Sequence, residues 1–205
     1  MTISPRILRR YIILMAIATF AVFTVSAVVK QFTKVPPGDY QVRQGDLRLN
    51  EQNYDEALAA FDAALDQAPN HRGAMMGRAI VFLQTEQFAK AEAAFTDLIA
   101  YLTRNLKADD ATGTAVLAGA YANRGILYDR TDRHEQALAD YLQAIKIDKD
   151  AVKGPNIFHK ILYGNSRPAT IAKRAEYLAI QLALPEDQRV LRDPERDQAQ
   201  RMYKP

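Results

Sequence analysis

The 205-residue chain has no cysteine. Disulfide scaffolds, Cys-ligated zinc, iron–sulfur clusters and cysteine nucleophiles are excluded with it. Histidine is scarce: His71, His134 and His159 stand far apart, and none has a second ligand three or four positions away at metal spacing. Asp109-Asp110 lacks the alternating carboxylates and distal Glu of a calcium loop. No Walker glycine loop, GxGxxG or GxSxG is present. Glu51, Glu56 and Glu86 suit helix starts and need no catalytic role. The expectation is therefore no enzyme, no metal, no cofactor and no small-molecule substrate. Glycine and proline, nine each, are too few for collagen-like or proline-rich chains.

Acid is missing from one end. Residues 1–37 hold Arg6, Arg9, Arg10, Lys30 and Lys34 and no acid, whereas the remaining 168 residues hold 22 bases and 24 acids. The net charge of +3 thus comes from the flanks of one segment, which argues for a membrane and against nucleic acid. That segment, Tyr11 to Val29, is nineteen residues without a charge. As a helix it spans about 28 Å, the thickness of the bilayer hydrocarbon. Thr19, Thr24 and Ser26 can each bond a carbonyl one turn back. A cleaved signal peptide competes, with Val25-Ser26-Ala27 as cleavage site, but the apolar run exceeds the usual h-region of about 7–15 residues. The predicted organisation is a basic tail (1–10), a transmembrane helix (11–29) and a Pro-containing linker (30–37). The short tail with three arginines favours a bacterial inner-membrane protein with its N-terminus inside and its body in the periplasm. The linker reaches about 25 Å at most, which keeps the body near the membrane surface.

Beyond the linker the chain repeats. Gly45, Tyr54, Ala57, Phe61, Ala64 and Pro69 form a series; Ala79, Phe88, Ala91, Phe95 and Leu98 follow 34 residues later. Gly125, His134, Ala137, Tyr141 and Ala144 follow 46 residues after that. The excess of 12 falls where 105–116 offers an insertion of turn composition. Ala57, Phe61 and Ala64 share one helix face. Small Ala57 admits an antiparallel partner helix closely, Gly45 supplies the matching small spot on it, and Phe61, Phe95 and Tyr141 wedge into the next pair. Polar runs at 50–53, 84–87 and 130–133 separate the helices of each hairpin.

On these residues, most clearly Gly45 to Pro69 and Asn123 to Asp148, the sequence resembles the tetratricopeptide repeat family. The resemblance implies an all-α solenoid of three helical hairpins over 38–150, with a groove lined by the first helix of each pair that takes peptide or protein. The groove residues it implies are Val42, Asp46, Leu49, Asn50, Met76, Ile80, Leu83, Gln84, Asn123, Ile126 and Arg130; Ile80, Leu83 and Ile126 equally suit packing between hairpins. The family's carboxylate clamp, which binds acidic C-terminal tails of cytosolic chaperones, wants Lys and Asn where Val42 and Asp46 stand. An apolar groove instead suits an amphipathic helix or an extended apolar segment.

Capping helices are predicted over 151–185: a short one from Pro155 to Tyr163 and a longer one after Pro168 with the stripe Ile171, Ala175, Leu178 and Leu182. Residues 186–205 carry five acids and five bases, a composition suited to a disordered tail, or to one that docks on a partner through Met202 and Tyr203. The function expected is a membrane-anchored adaptor, accessory subunit or assembly factor of a membrane-protein complex. The alternative is a periplasmic chaperone that transiently holds emerging polypeptides.

Overall fold

The computed structural model describes residues 5–32, 35–148, 170–192 and 202. Among them are eight α-helices, one 3₁₀ turn and no strand. They fall in two units, 1–36 and 37–205.

The first unit is one helix, α1 (Pro5–Phe32), apolar on every side through its middle. Its hydroxyls behave as the sequence suggests: Thr19 Oγ1 donates to the Met15 carbonyl and Thr24 Oγ1 to that of Phe20, each at 2.8 Å. Neither hydroxyl is left without a partner in an apolar surrounding.

The second unit is a stack of three antiparallel hairpins. They pair α2 (Asp39–Asn50) with α3 (Tyr54–Gln67), α4 (Arg72–Gln84) with α5 (Phe88–Asn105), and α6 (Ala111–Arg130) with α7 (His134–Ile147). Each helix packs on its successor, and α7 is covered by α8 (Ile171–Leu182). The repeat positions do what their sizes require. Tyr54, Phe88 and His134 open the second helix of each pair. Ala57, Ala91 and Ala137 are fully buried at the helix crossings, and Phe61, Phe95 and Tyr141 are fully buried beyond them. The Phe61 ring is gripped from both sides. A Cβ added to Gly45 on α2 would stand 2.5 Å from it, and one added to Gly77 on α4 only 2.4 Å.

Each hairpin turns in the same way. Gln52, Glu86 and Asp132 have φ of 61°, 57° and 59°, the left-handed region. The N–H of the following residue closes back on the carbonyl of Arg48, Phe82 or Tyr128. This left-handed C-terminal cap favours glycine. Glu86 is exposed, so Glu86→Gly removes strain without removing packing. It is expected to raise stability by roughly 1 kcal/mol or less, once the greater freedom of unfolded glycine is set against the gain. A thermal melt that shows no rise counts against strain at this turn.

Most of the insertion placed at 105–116 is helical. Helix α5 runs to Asn105 and α6 starts at Ala111, leaving only 106–110 between them. Asp110 explains the early start of α6. Its Oδ1 accepts the Gly113 N–H at 2.8 Å, and its Oδ2 takes the Arg72 guanidinium from the start of α4. The backbone N–H and Arg72 hold its carboxyl below the ordinary carboxylate range. A depressed folded pKa stabilises above the unfolded value and ceases to as pH falls through the folded one. Asp110→Asn, which keeps the cap but loses the charge, is expected to melt below the parent at neutral pH, the gap narrowing only as pH falls below the ordinary Asp value of about 3.9. Melts across that range test this; a gap independent of pH contradicts it.

Of the expected caps, 155–163 and Pro168 lie outside the described residues. The longer helix begins at Ile171, with Thr170 Oγ1 accepting the Lys173 N–H at 3.3 Å. Ile171, Arg174, Ala175 and Leu178 form its buried face.

Candidate partner-binding groove

Helices α2, α4 and α6 are the first members of the three hairpins, and α4 packs on both of the others. The residues assigned to a groove on their shared face separate into two groups. Asn50 and Gln84 are exposed at the helix ends, and Val42, Asp46, Leu49 and Arg130 are half-buried. Met76, Ile80, Leu83, Asn123 and Ile126 are not surface residues: none is more than 3 % exposed. For Ile80, Leu83 and Ile126 this is the packing between hairpins that their spacing also suits, and Met76 and Asn123 are buried with them. Met76, Ile80 and Leu83 stand four and three apart on α4, so they form one row, which lies in the same buried cluster as Ile126 of α6. Asn123 Nδ2 meets the Met76 Sδ at 3.6 Å across the two helices. Apolar side chains in such a row gain about 1.5–3 kcal/mol each from leaving water. Neither Asp46 nor Asn123 is without a polar partner.

The hairpins are held in register by charges between them. Arg124 on α6 makes two bonds to Asp140 of α7, at 2.7 and 2.9 Å, and reaches Thr96 of α5 at 3.1 Å. Arg133 lies over the Tyr128 ring, 4.4 Å from its centre, and pairs with Glu92 of α5.

A second polar network closes the stack at its C-terminal end. Asp129, at the end of α6, takes the forked guanidinium of Arg174 from α8 at 2.7 and 2.8 Å. It also meets His134 Nδ1 at 3.0 Å and accepts the Tyr141 hydroxyl at 3.3 Å. Burial, with Asp129 alongside, pushes the Tyr141 hydroxyl well above its ordinary range. The sequence reading missed this cluster, yet a signal was there. Arg174 is three residues after Ile171 and four before Leu178, so it belongs to the apolar stripe and must be buried with it.

The chain after α8 folds back along it. A 3₁₀ turn (Glu186–Gln188) follows Pro185, and Arg189 donates to the Leu182 and Leu184 carbonyls. Tyr177 donates to the Val190 carbonyl at 2.6 Å and Arg174 to that of Leu191 at 3.0 Å. Arg192 makes a bidentate pair with Asp132, at 2.7 and 2.9 Å, and donates to the Arg130 carbonyl. The Arg192 guanidinium holds the Asp132 carboxyl below its ordinary range. Leu191 and Met202 are partly buried against the main core cluster. A disordered tail is thus overturned for 186–192. Met202 packs against the core of its own chain; Tyr203 lies outside the described residues. A shallow depression between this segment and α7 is lined by Asp132, His134, Arg189 and Leu191. No group of three metal-ligating side chains comes together among the described residues.

Residues 42–105 match one tetratricopeptide repeat family model and residues 118–150 match another. The stretch between the two matches holds the 106–110 connection and the early turns of α6. Similar solved structures include the first TPR of Spaghetti (RPAP3) bound to the HSP90 peptide SRMEEVD, 18% identical, covering 72% of this chain and 94% of that one, with a TM-score of 0.51. The first TPR domain of human RPAP3 is likewise 18% identical over 72% of this chain and 93% of its own, with a TM-score of 0.51. The Sgt2 TPR domain from Aspergillus fumigatus is 16% identical over 75% of this chain and 89% of its own, with a TM-score of 0.49. No curated protein matches the sequence. Three hairpins with small residues at each crossing and an aromatic wedge between units, the first two matched by one family model and the third by another, are tetratricopeptide repeats.

Proposed function

We propose that the protein is a membrane-anchored adaptor: α1 holds it in a bilayer, and the repeat stack binds another protein there, as accessory subunit or assembly factor of a membrane-protein complex. The observation that carries the reading is the surface of α1. Its 21 residues from Leu8 to Val28 have a mean hydropathy of 2.3, and none of the window is buried. Its apolar side chains stand exposed, Phe20 and Phe23 by more than 70 %. Water is a poor solvent for such a helix, and a span of about 31 Å suits lipid. Arg6, Arg9 and Arg10, at and just before its N-terminal end, support an N-terminus inside and a periplasmic body of an inner-membrane protein.

Family membership supports the second half of the reading. The peptide in the Spaghetti TPR structure is acidic near its C-terminus. Here Val42 and Asp46 stand at positions where a clamp for such a tail wants Lys and Asn, and Asp46 repels a carboxylate. That favours a partner segment that is apolar or basic. Anchoring compensates for weak groove contacts, because a chain confined to the membrane layer meets other membrane proteins at high effective concentration.

Crosslinking in native membranes, followed by mass spectrometry, tests the proposal. One or a few membrane proteins at constant ratio are expected. A broad spread of unrelated polypeptides would point to the chaperone alternative. A shortened, water-soluble chain starting near Val28 would end the anchored reading.

A further inference from the structure

We propose that the outward face of α2 adsorbs on the lipid surface, with Tyr40 and Leu47 seated among the headgroups and Arg43 on their phosphates. The inference rests on the reading of α1 as a membrane anchor and adds a second lipid contact to it. Spacing and exposure mark out the face. Tyr40, Arg43, Leu47 and Asn50 stand three, four and three apart, so they share one side of the helix. All four are exposed, Tyr40 by 60 % and Leu47 by 50 %. At about 100° per residue this side lies opposite Val42, Gly45 and Leu49, which pack into the first hairpin. The other end of the stack is finished differently: α8 covers α7, and the segment after α8 is fastened over that end by Tyr177 and Arg192. A repeat array that ends in water presents a polar outer face. Helix α2 instead turns two large apolar side chains outward.

Charge selects α2 over its hairpin partner. Helix α3 exposes Asp55, Glu56 and Asp66 and contains no base. On and just after α2 the acids are engaged, Asp39 with His71 and Glu51 with Arg48, and Asp46 is not without a partner. Arg43 has no ion-pair partner among the described residues. From Lys30 to Arg43 the sequence holds three bases and one acid, the paired Asp39. An aromatic with a polar tip settles at headgroup level, and each base near an anionic surface adds about 1 kcal/mol.

Tether and size name lipid as the occupant. From Phe32, the end of α1, to Asp39, the start of α2, is at most about 23–25 Å of chain, which keeps α2 within reach of the headgroup layer. A helix of 12 residues offers one face about 18 Å long and 10 Å wide, roughly 200 Å², far below the ~800 Å² that each side of a stable protein complex buries. A second copy or a folded partner is poorly matched to so small a face. A tethered body needs no more, because its effective concentration at the lipid is already high. Adsorption through α2 then holds the repeat stack in one orientation at the bilayer.

The chain has no cysteine, so one introduced thiol carries one label. Asn50→Cys, on the proposed face, and Ala179→Cys, exposed on α8, are each labelled with a fluorophore in the full chain. The proteins are reconstituted at high lipid excess in phosphatidylethanolamine–phosphatidylglycerol vesicles that carry a nitroxide quencher on their headgroups. Quenching at 50 is expected to exceed that at 179 roughly threefold or more, as for a helix lying in the interface. Tyr40→Ser with Leu47→Ser is expected to bring the two labels level, and both changes fall on exposed positions that leave the hairpin core intact. Equal quenching in the parent sequence overturns the proposal, as does an excess at 50 that survives Tyr40→Ser with Leu47→Ser. An excess that appears only when the lipid excess is reduced marks a contact between copies and also overturns it. Vesicle flotation separates the two readings. A chain that floats with level quenching keeps the anchor and loses the α2 contact; a chain that does not float loses both.

Discussion

Gly77→Val is expected to cost the repeat stack about 3 kcal/mol or more, at or beyond the upper end of ordinary overpacking. The Phe61 ring fills the space between α2 and α4, with Gly45 on one side and Gly77 on the other. The first added carbon at position 77 already lies 2.4 Å from the ring, well inside van der Waals contact, and valine adds two methyls beyond it. The ring has little room to yield toward α2, because it already fills the place of a Cβ at Gly45, 2.5 Å away, on that helix. Either the ring leaves its rotamer or the first two hairpins separate. Since each repeat is stabilised by its neighbours, separation there weakens the whole array. Phe61→Ala attacks the same contact from the other direction and is expected to cost about 3–5 kcal/mol by opening a cavity. The two errors are opposite in volume, so Gly77→Ala combined with Phe61→Leu is expected to cost less than the sum of its single changes. Denaturant titration of these variants in detergent checks this. A Gly77→Val chain that unfolds with the parent midpoint would falsify the clamped-ring account.

The same contact shows why so much of the fold was legible. A fully buried alanine at each crossing and an aromatic one turn later are steric demands of hairpin stacking, and a steric demand leaves a residue type at a fixed spacing. Ala57 with Phe61, Ala91 with Phe95, and Ala137 with Tyr141 could be read as a fold before any coordinate. The connection after Asn105 was less legible, because residues such as Ala111, Thr112 and Thr114 suit a loop or a first helical turn equally; the Asp110 cap decides, and it needs Arg72 from 38 residues away. The groove was least legible. Spacing put Met76, Ile80 and Leu83 on one face of α4 correctly, but what that face meets depends on how α5 and α6 pack against it. A local pattern fixes the direction of a side chain and is silent about what covers it. The packing of Met202 was hidden for the same reason: its charged neighbours in sequence spoke for water, while the core cluster it rests on draws on residues from Met76 to Leu178.

Arg174→Met is expected to be the most damaging change outside the repeats. Arg174 and Asp129 are each almost wholly buried, with side chains 1 % and 2 % exposed, so their pairing replaces water that neither can recover. Methionine fills similar volume, which confines the loss to the charge and its hydrogen bonds. Removing one partner of a buried pair costs about 3–5 kcal/mol, since the remaining charge stays desolvated. Here Asp129 would keep only His134 and Tyr141 among the partners described above, and the Leu191 carbonyl would lose the Arg174 donor that ties 183–192 to α8. The expected signature is therefore specific: α8 and the segment after it become protease-sensitive before the first two hairpins do. Arg174→Lys is expected to recover little, because an ammonium cannot present the two parallel donors that meet both Asp129 oxygens at 2.7 and 2.8 Å. Asp129→Asn combined with Arg174→Met is expected to recover a substantial part, because it removes the stranded charge and leaves an amide oxygen for Tyr141 or His134. If the double variant is as unstable as Arg174→Met alone, the cost lies in lost packing between α7 and α8, and the ion pair is incidental to the closure of the stack.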